Sequence, residues 1–144
     1  MKKFVRLDTV GEWRGTEHVS SVGVSSFVSG HEQFEEGVSC YELSNDGPAH
    51  AFESLFEYWN DTVMLKVNDY KNMQITVFEG EQIDGMGSDY EDLAICKRTI
   101  KEVPAYDIMK ELIETYYEYH DYDELTDEEY INRMNDIYNK IMEG

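Results

Sequence analysis

Apolar positions recur at every second residue through most of the first hundred residues and at every third or fourth in the last forty. The pattern therefore predicts strands first and helices last. Residues 2–10 alternate loosely through Phe4, Val5, Leu7 and Val10 and predict a first strand. Residues 12–17, flanked and interrupted by Gly11 and Gly15, predict a turn. The Val- and Ser-rich run HVSSVGVSSFVS at 18–29 predicts one strand or two short ones, followed by an acidic connector at 30–37 and a short strand at 38–43. In SNDGP, Asn45 or Asp46 is placed to cap a helix and Pro48 to occupy its first position. Phe52, Leu55, Phe56 and Trp59 then predict an amphipathic helix over 49–60.

Alternation returns at 62–67 and 73–82, two strands with NDYKN between them as a hairpin loop, and again at 93–103. Lys97, Arg98 and Lys101 occupy polar positions of that last strand. Pro104 ends it and opens a helix over 104–120 with an apolar stripe of Ile108, Leu112, Ile113, Tyr116 and Tyr117. Thr126 and Glu129 form a capping box for a second helix over 127–142, striped by Tyr130, Ile131, Met134, Ile137, Tyr138 and Ile141. Strands followed by helices define an α+β fold: a small, mainly antiparallel sheet, one short helix and a C-terminal helical pair. With 144 residues, no linker and no repeat, the expectation is a single domain, strand-rich over 1–103 and helical and acidic over 104–144.

Composition narrows the function. An apolar share of 41% and an aromatic share of 13% supply a core despite a net charge of -19, since disordered acidic chains are poor in aromatics. That charge repels phosphate backbones and anionic lipid, so direct nucleic-acid or membrane binding is excluded and a basic protein becomes the natural partner. The start, MKKFVRLDTVGEW, has no apolar signal core, and no run of 18 apolar residues occurs, so a cytoplasmic location in a bacterial host cell is expected. Cys40 and Cys96 are too few for a disulfide framework and read as small core residues of a reduced protein.

The tail is where charge and periodicity combine. Between Glu111 and Asn132 lie nine acids (Glu111, Glu114, Glu118, Asp121, Asp123, Glu124, Asp127, Glu128 and Glu129) and no Lys or Arg. Residues 104–144 carry a net charge of -9 over 41 positions, against -10 over the first 103, and hold seven of the eleven tyrosines. Helical carboxylates at i,i+3 and i,i+4 stand about 5–6 Å apart, comparable in scale with the roughly 3.4 Å phosphate repeat of a DNA strand. Tyr117, Tyr119 and Tyr122 add flat contact area, and Tyr119 and Tyr122 fall off the apolar stripe. A small acidic, Tyr-rich chain with such a tail resembles phage-encoded anti-defence proteins, the anti-CRISPR and anti-restriction inhibitors that mimic DNA. The resemblance implies a viral inhibitor acting by protein–protein contact in a host–virus interaction. Its partner would be a nucleic-acid-binding nuclease such as a CRISPR-Cas effector, whose duplex-reading groove it would occupy.

Other constellations point elsewhere. Arg6 or Arg14, Ser25-Ser26 and Glu79-Gly80-Glu81 occur in an order similar to that of ADP-ribosyltransferases, which implies NAD use with Glu81 at the oxocarbenium-like centre. The middle motif lacks the family's Ser-Thr-Ser form. A third reading is a phage or plasmid accessory protein with no inhibitory role. Asp84, Asp89, Glu91 and Asp92 surround Gly85 and Gly87 but miss the calcium-loop spacing, and read as a solvated turn. His18, His31, His50 and His120 show no zinc-ligand spacing. No phosphate-binding loop, dinucleotide fingerprint or nucleophile elbow is present. The expectation is a non-enzymatic protein with no catalytic residue, metal or cofactor, whose oligomeric state stays open.

Overall fold

The first strand, β1 (Lys2–Thr9), is buried on both faces, with Phe4, Val5, Arg6 and Leu7 all at 2% exposure or less. Two-sided burial is why its alternation in sequence is loose. The computed structural model describes residues 2–9, 38–43, 47–62, 64–83 and 92–144. The expected turn at 12–17, strand at 18–29, connector at 30–37 and acidic loop at 84–91 lie outside the described residues, as do Asn45 and Asp46.

Three further strands, β2 (Val38–Glu42), β3 (Met73–Gln82) and β4 (Asp92–Pro104), complete the sheet. Every pairing is antiparallel, as expected, and the order β1-β2-β4-β3 closes on itself because β3 returns to β1 along Lys2↔Gly80 to Thr9↔Met73. The short β2 completes the closure by bridging β1 (Phe4↔Glu42) and the start of β4 (Cys40↔Asp92). Pairing of β3 with β4 shifts register twice, from Val77↔Lys101 to Phe78↔Thr99 and from Glu79↔Arg98 to Gly80↔Cys96. Ile100 and Lys97 are thus the extra residues, both on β4. Bulges of this kind bend a strand and raise its twist, which a closed four-stranded sheet requires.

Helix α1 (Ala49–Phe56) runs directly into a π-helical segment, Glu57–Thr62, so the helix expected to end near residue 60 continues to 62. Pro48 sits at its N-cap, one position earlier than expected. The expected strand at 62–67 is wrong: its first residue still belongs to the π-helical segment, and a 3-10 segment, Val67–Asn72, replaces the hairpin loop. Asp69 accepts from the Lys66 amide at 2.7 Å, holding that turn, so a local capping interaction outweighs β propensity. Helices α2 (Ala105–His120) and α3 (Asp127–Glu143) match the expected pair, and the Thr126–Glu129 capping box is present with bonds of 3.0 and 3.2 Å.

One core cluster joins Val5, Leu7, Ile75 and Val77 of the sheet to Phe52, Leu55, Leu112, Met134 and Ile137 of the helices. On the other face of the strands Phe4, Cys40, Phe78, Ala94 and Cys96 form a second cluster, which places both free cysteines in the core as expected. The helical stripes are rotated slightly from expectation. Met109 is buried where Ile108 is only half-buried, and Ile131 is 45% exposed. No helix among the described residues is long and apolar enough to cross a membrane.

Tyrosines inside this core carry a pH consequence. Burial, reinforced by Asp69, raises the Tyr70 hydroxyl above its ordinary 10.0. Burial and a hydrogen bond to Glu53 do the same for Tyr130. A raised folded value means that the stabilisation is complete below pH 10.0 and is lost as pH climbs past it, because the unfolded chain ionises first. Stability should hold near neutrality and fall above about pH 10 by up to roughly 1.4 kcal/mol per pH unit for each of the two. Urea titrations across pH 8–12 check this; the Tyr70→Phe, Tyr130→Phe pair should flatten the alkaline limb.

Candidate functional site: an acidic three-helix junction

The C-terminus of α2, the N-terminus of α3 and the exposed side of α1 meet in one aromatic cluster. Tyr116 stacks on Phe56 with ring centroids 3.9 Å apart, and Tyr117 meets the same ring edge-on at 5.6 Å. Tyr119 stacks on Tyr130 at 4.1 Å, and the Tyr130 hydroxyl donates to Glu53 at 2.8 Å. His120 lies against Tyr116 and Tyr130, with Nε2 3.4 Å from the Glu53 carboxylate. Three helices are therefore joined through Glu53, His120 and Tyr130, one residue from each.

This arrangement divides the tyrosines expected as contacts. Tyr117 and Tyr119 are half-buried in the junction, and Tyr119 also donates to Asp127, which raises its hydroxyl above the ordinary range. Tyr119, off the apolar stripe of its own helix, nevertheless packs, because the neighbouring helix brings Tyr130 to it. Tyr122 is 66% exposed and remains a free flat surface.

The acids divide as well. Glu111 is held by Lys140 at 2.7 Å and Glu118 by Arg133 at 3.2 Å, both across the α2–α3 interface. The absence of Lys and Arg within the run is thus offset for these two by α3, a compensation invisible to i,i+4 spacing. Glu129 is the capping carboxylate, lowered from its ordinary range first by the Thr126 amide. Asp127 and Glu128 sit in the first turn of α3, where the helix dipole favours negative charge. Four acids have no such account: Glu114, Asp121, Asp123 and Glu124 are exposed and make no ion pair among the described residues. Asp121 terminates α2, at the end where the dipole disfavours it, and Asp123 and Glu124 follow in the turn before the Thr126 cap of α3. The turn brings them together through amides of Asp121 and Tyr122 donating to the Tyr117 carbonyl and Glu124 to that of Glu118, with Asp123 in the left-handed region at φ 54. Asp123 and Glu124 rim a depression of about 520 Å³ between Tyr119, His120 and Asp127.

A row on α1 and its π-helical extension extends the negative surface. Burial first, then the carboxylates of Glu57, Glu53, Asp61 and Asp121, push the Tyr116 hydroxyl up to about 12. The α1 acids and the end of α2 therefore act on one point. Glu53, Glu57 and Asp61 were missed by sequence reasoning, although their i, i+4, i+8 spacing on one helix was the signal that could have found them.

Among the described residues of the ADP-ribosyltransferase-like order, Arg6 and the Glu79 and Glu81 side chains lie on opposite strand faces. Arg6 is 2% exposed, opposite Thr76 and on the strand face shared with Phe4 and Phe78. Glu79 and Glu81 alternate to the opposite face, where Arg98 binds Glu79 through Nε at 3.0 Å and lowers it. Gly80 is there because an added Cβ would lie 2.3 Å from the Ile95 carbonyl oxygen. Arg14 and Ser25-Ser26 lie outside the described residues. Among those residues no group of three His, Cys, Asp or Glu side chains could hold a metal ion.

No protein-family model, curated protein or solved structure matches the chain.

Proposed function

We propose that this chain is a non-enzymatic inhibitor of the phage type. It occupies the DNA-binding groove of a host defence nuclease, a CRISPR-Cas effector or a restriction enzyme, with the acidic junction of its three helices. The observation that carries the reading is the set Glu114, Asp121, Asp123 and Glu124: exposed carboxylates with no cationic partner among the described residues, one of them, Asp121, at an unfavourable helix end. Local stability has no use for them there, whereas a groove lined by Arg and Lys does. The α1 acids widen the surface beyond a single helix, which suits the width of a duplex groove more than that of one strand.

Steering between opposite charges makes such binding fast and sensitive to salt. The test is a cleavage assay with a panel of CRISPR-Cas and restriction nucleases at low salt. The reading expects potent inhibition of at least one, relieved by excess uncleavable duplex. Inhibition of none, or inhibition that duplex DNA leaves unchanged, refutes it.

A further inference from the structure

Beside the acidic junction, the π-helical segment and the 3-10 segment leave a groove of about 360 Å³ against α2, lined by Asn60, Asp61, Met64, Leu65, Ile113 and Tyr117. Its lip is Met64, 66% exposed and held at φ 65, a left-handed backbone uncommon for any side chain but Gly, Asn or Asp. An exposed apolar side chain in that backbone is disfavoured on both counts, and strain of this sort gathers where a surface is used. The adjoining turn of helix is a π segment, a second departure from regular structure often found at functional sites. Tyr117 forms the groove wall, and its ring lies 6.5 Å from that of the exposed Tyr122, which continues the apolar surface outward. The lining itself holds one acid, Asp61, and one base, Lys66; the edge along α2 is acidic, because the exposed Glu114 and Asp121 stand three before and four after Tyr117 on the helix.

From this juxtaposition we infer that the groove takes an apolar side chain from a cationic protein segment, an amphipathic helix whose Lys and Arg flanks meet the acidic rim. The inference rests on the acidic surface being a partner-binding one and adds what that reading lacks: an apolar anchor, so that the partner is held by more than screened charge. Charge decides the occupant. A second copy of this chain would bring another -19 against the same rim, whereas a basic segment is attracted to it. Methionine and tyrosine are suited to the task because a flexible thioether and a flat ring adapt to a range of side chains.

The test uses two synthetic helical peptides of equal positive charge, one carrying a Leu/Phe stripe and one with that stripe replaced by Ser and Gln. Both are titrated into the full chain by fluorescence anisotropy. The striped peptide should bind about tenfold more tightly, the scale of one apolar anchor. Met64→Gly and Met64→Asn should remove that advantage without lowering the melting temperature, since both residues accept the left-handed backbone. Lysine at Glu114 and Asp121 should weaken both peptides alike. Equal binding of the two peptides, no binding of either, or an advantage that survives Met64→Gly overturns the inference. So does a dimer of the chain that Met64→Gly dissociates, for then the occupant is a second copy. Equal binding combined with weakening by the lysine pair removes the anchor while leaving the acidic surface intact.

Discussion

Lysine at Glu114, Asp121 and Glu124 together should abolish the proposed inhibition of a nuclease while leaving the protein folded and slightly more stable. Each reversal adds two charges, so the net charge moves from -19 to -13, still far enough from zero for solubility. None of the three holds an ion pair among the described residues, so none is lost. One of the three gains: lysine at the α2 C-cap complements the helix dipole where Asp121 opposes it. Affinity for a basic groove should nevertheless fall on the order of 10²–10³-fold, because attraction is replaced by repulsion at three positions. The contrasting pair, Glu111→Lys with Glu118→Lys, sets lysine against Lys140 and Arg133 and should lower stability, by about 1 kcal/mol once solvent screening is allowed for. Melting curves and inhibition measured on the same samples separate the two sets. Surface charge kept only for solubility predicts that the triple variant inhibits as well as the parent.

Gly80→Ala should be the most damaging single methyl in the sheet. An added Cβ would meet the Ile95 carbonyl oxygen at 2.3 Å and both the Ile95 carbonyl carbon and Phe78 at 3.1 Å. The oxygen belongs to backbone at the second register shift of β3 and β4, so it cannot move aside as a flexible side chain would. Relief requires the strands to part where the closed sheet is held together. A loss of about 3 kcal/mol is expected, the range of core overpacking, with a fall in melting temperature on the order of 10 °C. Glu81→Gln, one residue on and exposed, should leave stability within about 0.5 kcal/mol of the parent. A neutral Gly80→Ala would mean that β3 and β4 are not joined in this register.

Much of the fold was legible because its signals are local. The capping box at Thr126 and the helical periods of the last forty residues need no information from elsewhere in the chain, and they located α2 and α3 to within a residue. Alternation also found β3 and most of β4. Closure of the sheet was not legible: pairing of β1 with β3 joins residues some seventy positions apart, and the bulges at Lys97 and Ile100 leave no mark in composition. The error at 62–67 has a local origin instead: Val63, Leu65 and Val67 alternate in sequence like a strand, but the preceding helix runs on to Thr62 and Asp69 holds a turn at Lys66.

The candidate site was half legible. Sequence spacing identified the acids on α2 but treated them as one population. Which of them are compensated depends on Lys140 and Arg133 arriving from the other helix, and on helix ends that only the folded turn defines. Tyr119 illustrates the limit: off the stripe by its own helix's geometry, it is drawn into packing by Tyr130. The Glu53, Glu57 and Asp61 row was readable and passed over because it sits outside the conspicuous tail.

The most direct measurement is the salt dependence of binding between the chain and a nuclease that it is proposed to inhibit, compared with the Glu114, Asp121, Glu124 lysine variant. Affinity of the parent should fall steeply between about 0.05 and 0.5 M salt as screening shortens the reach of exposed charges. The variant should bind weakly throughout, with a visibly shallower dependence. A parent whose affinity ignores salt, or a variant whose curve overlays the parent's, would contradict the claim that unpaired carboxylates at the three-helix junction hold a cationic partner.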